Sequence, residues 1–140
     1  MSVEICVFVQ RDRLPVRNQW QQAIEDMGFP MVLYADFDPL QMSGFCPVTW
    51  RGIATGFEYY LDFSKEYLNS YPDIAGQVQL RDSCVTFCFG GHVSELASAL
   101  AAAASLVQLG NGVCFDPQGE LIIDAEQALV MVKQQLELLG

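Results

Sequence analysis

Residues 92–109 contain a run of alanines that restricts how the rest of the chain can pack. The core of this stretch, residues 96–107, reads LASALAAAASLV, and Gly110-Asn111-Gly112 follows it. Alanine favours helix, and glycine or asparagine after the last turn suits a left-handed C-cap. A helix with so many small side chains packs closely against a sheet or another helix. The alanine run itself is too short to span a bilayer.

Hydrophobic spacing predicts the other elements. Apolar runs and turn residues predict strands at 3–10, 31–37 and 83–89, and a short pair flanking the tight turn at 116–119. Residues 48–63 are typical of a hairpin that turns near 54–56, whereas 39–47 are predicted as a loop. Further helices are predicted over 14–27, over 64–70 and from Asp124, with Gln127 completing a capping box.

This order of elements predicts the fold class. Strands do not alternate strictly with helices, so a doubly wound parallel sheet is disfavoured. We expect an α+β fold whose sheet is mixed or mainly antiparallel, with about five to six strands and about four helices packed mostly on one side. At 140 residues, half of them apolar, the chain is expected to form a single domain over residues 1–140.

The charge limits which partners the chain can bind. Seventeen Asp and Glu face seven Lys and Arg, for a net charge of −10. Nucleic acids and anionic membranes repel such a body, because their protein partners neutralise phosphates with Lys and Arg. A basic partner, in contrast, would be attracted and steered into place. The alternative is that the acidity serves solubility alone.

Cysteine usage and the first residues indicate a compartment. The five cysteines are odd in number and lie in apolar stretches, which is typical of reduced, buried thiols. The first residues, MSVEI, lack the basic and apolar regions of a signal peptide. We therefore expect a cytoplasmic protein.

Three local patterns could suggest chemistry, and each has a simpler explanation. Cys84, Cys88 and His92 are spaced by four, but on a strand that spacing separates residues by about 13 Å, too far for one zinc ion. Gly90-Gly91 lacks the remaining residues of a nucleotide loop. His92 is the one histidine and could serve a nucleophilic cysteine, but a histidine at a helix start is commonly a surface residue. We expect no catalytic residue, cofactor or metal.

Aromatic and acidic residues occur together in the centre of the chain. Aromatic side chains anchor protein interfaces, and carboxylates complement a basic surface. Strand alternation lets only one of Tyr59 and Tyr60 face inward, so the other is expected at the surface. The candidate partner-binding residues are Glu58, Tyr60, Asp62, Glu66 and Asp73.

The second half of the chain resembles a known family. The pattern is Gly90-Gly-His, the alanine-rich helix, the segment GNGVCFDPQG at 110–119 and a helix opening DAEQAL at 124–129; TGFEYY at 55–60 also looks similar. Over roughly residues 45–130 this resembles the small bacterial immunity proteins that protect cells against polymorphic toxins of contact-dependent or type VI secretion systems. The resemblance implies a cognate toxin domain, often a nuclease, bound in the cytoplasm, and no catalytic residues.

Three hypotheses follow. The first is an immunity-type inhibitor that binds and neutralises a basic toxin domain. The second is a homo-oligomeric adaptor or small-molecule-binding module without catalytic activity, since the aromatic-rich centre could line a cavity and a homodimer is compatible with the sequence. The third is an enzyme that uses Cys84 or Cys88 with His92.

Overall fold

One antiparallel sheet of seven strands organises the computed structural model, which describes residues 3–119, 121–123 and 125–138. The strands are β1 Val3–Val9, β2 Met31–Leu33, β3 Gly44–Trp50, β4 Ile53–Phe63, β5 Ser83–Phe89, β6 Val113–Asp116 and β7 Leu121–Ile123. Their order across the sheet is β2-β3-β4-β5-β1-β6-β7. The first strand of the chain therefore lies inside the sheet, paired with β5 and β6.

Helices cover the sheet unequally. The longer helices are α1 Arg17–Asp26, α4 Val93–Gly110 and α5 Ala125–Leu138; α4 lies against β1, β4 and β5 and contacts both α1 and α5. In the described part of the chain, the opposite face carries the shorter α2 Ser64–Ser70 and α3 Ala75–Val78, joined by a 3₁₀ turn. The α+β class is confirmed, with the larger helices on one side and seven strands in place of five to six.

Alternation along the strands builds the main core. Ile5, Val7 and Val9 of β1 and Val85, Phe87 and Phe89 of β5 face α4, and all six are buried. The alanines of α4 lie among them, so the helix packs closely, as its composition predicts. Asn111 adopts a left-handed φ of 52° at the C-cap. Among the described helices, α4 is the one long and apolar enough to cross a membrane, but 67% of it is buried inside the fold.

A smaller core lies on the other face. Tyr67 and Leu68 of α2, with Ile74 and Val78 after it, pack on the outward residues of β5, β1 and β6. The rings of Tyr67 and Tyr71 stack at 5.1 Å and contact Phe115 edge-on. This helical cover ends at β5, so β3 and β4 expose their outward side chains.

The hairpin turn differs from the prediction. Trp50 pairs with Ile53, which leaves Arg51 and Gly52 as a two-residue turn with φ of 51° and 79°. Positive φ at both positions matches the twist of a tight hairpin. The turn predicted at 54–56 is wrong, because those residues lie within β4. The predicted loop at 39–47 is also wrong in part, since β3 begins at Gly44.

One predicted strand is longer than the observed one, and one predicted helix cap lies outside the described residues. The strand predicted over 31–37 ends at Leu33, although Phe37 still enters the core. The turn between β6 and β7 and the helix over 64–70 are confirmed. The proposed cap of α5 by Asp124 lies outside the described residues.

Side chains of α1 occupy the free edge of β2. The buried amide of Gln21 donates to the carbonyl of Met31 (2.9 Å) and accepts from the N–H of Leu33 (2.7 Å). Arg17 donates to the carbonyls of Leu33 (2.7 Å) and Tyr34 (3.2 Å). These side chains supply the hydrogen bonds that a neighbouring strand would make, so this edge is closed to further pairing.

Candidate protein-binding surface

Strand β4 places three of the predicted partner-binding residues on one surface. Glu58, Tyr60 and Asp62 alternate with Tyr59 and Leu61, which face α4. Tyr59 is fully buried and Tyr60 is half-buried on the opposite face, so the predicted division of the two tyrosines is confirmed. We call the uncovered outward side of β3 and β4, with the adjoining ends of β5 and β1, the open sheet face.

A row of paired residues crosses the open sheet face. Phe45 on β3 pairs with Glu58, Glu58 pairs with Cys88 on β5, and Cys88 pairs with Glu4 on β1. The two carboxylate-bearing residues are thus two strands apart, about 10 Å between their backbones. Among the described outward residues of β1, β3, β4 and β5, three are carboxylates (Glu4, Glu58 and Asp62) and none is Lys, Arg or His.

Apolar side chains adjoin the carboxylates. Phe45 is 62% exposed and Val32 is 52% exposed, and Pro47 between their rows is also exposed. Exposed rings and aliphatic groups beside charged residues reproduce the apolar centre and polar rim of protein interfaces. The open sheet face is therefore suited to a protein partner.

Gly56 supports the ring of Phe45. A Cβ at Gly56 would lie 2.6 Å from Cζ of Phe45 and 2.5 Å from the carbonyl oxygen of Cys46. The ring thus lies directly over the glycine, an arrangement that fills the space left by a missing side chain. Phe45 is held against the sheet even though its outer side faces solvent.

We expect Gly56→Ala to destabilise the protein by about 1–3 kcal/mol, because the added methyl overlaps a backbone oxygen and a packed ring. Gly76→Ala is the matched control, since a Cβ there meets no atom within 4 Å. That control should be neutral or stabilising by up to about 1 kcal/mol. Urea unfolding of both variants measures the difference; equal stabilities would contradict the packing of Phe45 on Gly56.

The carboxylate of Glu58 is oriented by its neighbour. The hydroxyl of Tyr60 donates to Oε1 of Glu58 at 2.7 Å. This hydrogen bond raises the pKa of Tyr60, because the phenolate form would lose it. The second carboxylate oxygen of Glu58 stays available to a cationic group of a partner.

The cysteines of β5 do not have the properties of nucleophiles. Burial raises the pKa of Cys88 to about 11, and the charges of Glu4 and Glu58 act in the same direction. A hydrogen bond with Cys6, together with burial, also raises the pKa of Cys84. Activated cysteines need the opposite shift. Both thiols lie on the outward face of the sheet. His92 is exposed at the start of α4, in a groove that Phe45 and Pro47 also line, and its described contacts include neither thiol.

The remaining predicted residues lie on the helical cover. Glu66 is exposed in the first turn of α2, and Asp73 is exposed in the 3₁₀ turn that follows. They border the same side of the sheet as Glu58 but do not belong to the row across its strands. Within the described residues, no three His, Cys, Asp or Glu side chains are arranged to hold a metal ion.

Sequence reasoning missed Glu4 and Phe45. Glu4 belongs to the first strand of the chain and joins the row only through strand pairing. Phe45 falls in the segment predicted as a loop, and the sequence FCPV at 45–48 carries no apolar–polar alternation that would predict a strand. The alternation between exposed Phe45 and Pro47 and buried Cys46 and Val48 is visible only in the structure.

Comparison with known proteins returns nothing similar: no family model matches the chain, and neither a curated protein nor a solved structure is significantly similar to it.

Proposed function

We propose that the protein is an immunity-type inhibitor that binds and neutralises a cognate basic toxin domain, such as a nuclease, in the cytoplasm. The observation that carries this proposal is the open sheet face, where exposed apolar groups adjoin three carboxylates without a Lys, Arg or His among the described outward strand residues. The resemblance of residues 45–130 to immunity proteins supports the same function.

Charge explains why a basic domain is the preferred partner. Nucleases bind a polyanion, so the surface around their active site carries positive charge. A body of net charge −10 attracts such a surface over long range and accelerates association. The same charge opposes self-association through this face, which favours a foreign partner over a homodimer, and it disfavours nucleic acid and membranes.

Geometry explains how the open sheet face would hold that partner. Phe45 is fixed over Gly56 and Glu58 is oriented by Tyr60, so little conformational entropy is lost when they are covered. Phe45 and Pro47 provide the apolar centre, while Glu4, Glu58 and Asp62 receive Lys and Arg. Glu66 and Asp73 extend the acidic rim on the helical cover. The protein acts by occlusion and needs no catalytic residue.

Co-expression tests this function. The C-terminal domain encoded by the adjacent upstream reading frame is expressed in cells with and without this protein. We expect that domain to be toxic alone, and we expect the protein to rescue growth and to co-purify with it. Toxicity without rescue, or no toxicity, would favour an adaptor or ligand-binding module over an inhibitor. Sedimentation would then measure its oligomeric state, and ligand-induced shifts in melting temperature would identify a ligand.

Charge reversal then locates the surface. In the double variant Glu58→Lys and Asp62→Lys, we expect association to slow by about tenfold or more and its salt dependence to weaken, because attraction becomes repulsion. The control is Glu25→Lys with Asp26→Lys, two exposed acids of α1 on the other side of the sheet. Surface plasmon resonance at two salt concentrations measures both rates. Equal slowing in both variants would assign the effect to net charge alone, not to the open sheet face.

A further inference from the structure

A second feature of the molecule is a cavity on the α4 side of the sheet, between the start of α4 and α5. Its volume is about 350 Å³. Most of its lining is apolar, contributed by Val3, Ile5, Phe89, Leu96, Leu100 and Met131. Hollows of about 510 and 420 Å³ also occur, but they are more polar and more open grooves. Of these three spaces, the apolar cavity is the least open and the most apolar, which suits it best to a small apolar molecule.

The sequence explains why this space stays open. Gly90 and Gly91 form the rim between β5 and α4 and bring no side chains; a Cβ at Gly91 would meet no atom within 4 Å. A void of about 10 Å³ behind the cavity shares Ile5, Leu100 and Met131 with it. The described side chains therefore leave space on both sides of Ile5, Leu100 and Met131.

Size and charge define the occupant. An engineered cavity of about 150 Å³ binds benzene, so a space more than twice as large admits a two-ring body. Asp116 lies on the same side of the sheet as the buried Cys114 and lines the cavity. Glu4 also lines it, although its carboxylate turns toward Cys88 on the other face (Oε2–Sγ 4.0 Å). Among the described lining residues the other ionisable one is His92, so these residues offer an anionic ligand no fixed positive charge.

We propose that this cavity is a binding site for a small aromatic amine, with a two-ring apolar body between α4 and β1 and its ammonium group toward Asp116. One oxygen of Asp116 already accepts from the N–H of Gln118 at 3.0 Å. Among the described contacts the other oxygen has no hydrogen-bond partner, so it can accept from the ammonium group. This site lies on the other side of the sheet from the open sheet face, with Glu4 bordering both, and the proposal is independent of the inhibitor function.

Three naphthalenes that differ only in one substituent test the ligand class. Calorimetric titration with aminomethyl-, hydroxymethyl- and carboxynaphthalene compares a cation, a neutral molecule and an anion on the same ring. We expect the amine to bind best and the carboxylate worst. Absence of binding by the amine up to about 1 mM, or equal binding of all three, would overturn the proposal.

Two variants locate the binding. Val93, 48% exposed at the cavity, is replaced in Val93→Trp, which we expect to weaken amine binding at least tenfold by filling the mouth. Val130→Trp is the control, since Val130 on α5 is also 48% exposed but does not line the cavity. Asp116→Asn keeps the acceptor for Gln118 and should weaken the amine about fivefold while leaving the alcohol unchanged. Unchanged amine affinity in both Val93→Trp and Asp116→Asn, with normal melting, would exclude this site.

Discussion

Trp20→Ala is expected to lower the free energy of unfolding by about 3–5 kcal/mol, the cost typical of removing a large buried ring. Trp20 is fully buried where α1 meets both α4 and the sheet. Its ring contacts Phe37, Tyr59 and Phe87 at centroid distances of 5.5 to 6.2 Å. The substitution leaves a cavity among these three rings.

The indole also makes a polar contact that a ring alone cannot replace. Its Nε1–H donates to the carbonyl of Ala102 in the middle of α4, at 3.1 Å. That carbonyl retains its partner within the helix, so Trp20→Phe should cost less than Trp20→Ala, about 1–3 kcal/mol.

Equilibrium urea unfolding followed by circular dichroism measures these variants. Trp50→Phe is the control, because Trp50 lies beside the hairpin turn at one end of the sheet and contacts none of those three rings in the described structure. It also leaves Trp20 as the one indole, so tryptophan fluorescence then reports unfolding around the α1–α4 contact alone. A Trp20→Ala protein as stable as Trp50→Phe would contradict the central position of Trp20.

The second large effect is expected at Gln21. Gln21→Ala removes both hydrogen bonds to β2 and leaves the Met31 carbonyl and the Leu33 N–H without their partner in a buried place. Each unsatisfied buried group costs about 1–3 kcal/mol, so the two together are expected to cost about 2–6 kcal/mol. Gln21→Glu keeps an acceptor for Leu33 but faces Met31 with a second acceptor, and should be no better than alanine.

Gln22 provides the matched control for Gln21. It is the next residue of α1, is exposed and donates only to Asp26 at 2.9 Å within the described contacts. Gln22→Ala should change stability by less than about 0.5 kcal/mol. Hydrogen exchange gives an independent measurement, since the Leu33 amide should lose protection in Gln21→Ala and keep it in Gln22→Ala. Retained protection in both variants would show that Gln21 does not supply the hydrogen bonds that a neighbouring strand would make to β2.

The parts of the fold that the sequence predicts are those with local signals. The alanine-rich helix, strand 83–89 and the turn at 116–119 each depend on neighbouring residues, and the structure contains all three. The division between Tyr59 and Tyr60 follows from strand geometry alone. The same alternation places Glu58, Tyr60 and Asp62 on one surface.

The parts that the sequence does not predict depend on distant pairing or on unusual backbone. Arg51 adopts a positive φ, which arginine rarely does. The residue types therefore predict the hairpin turn at 54–56, a few residues after its position at 51–52 in the structure. Glu4 and Phe45 reach Glu58 through pairings between residues more than ten positions apart. The open sheet face is therefore a product of strand order, which no local pattern contains.

The position of β1 in the sheet has a consequence for how the protein is made. This strand is translated before the other six strands, yet both of its neighbours, β5 and β6, are translated much later. Strands β2 to β4 can form a meander early, but it lacks the partner that β5 supplies. Strand β1 gains its second neighbour only after β6 has been translated, and until then one edge of this apolar strand has no partner in the sheet.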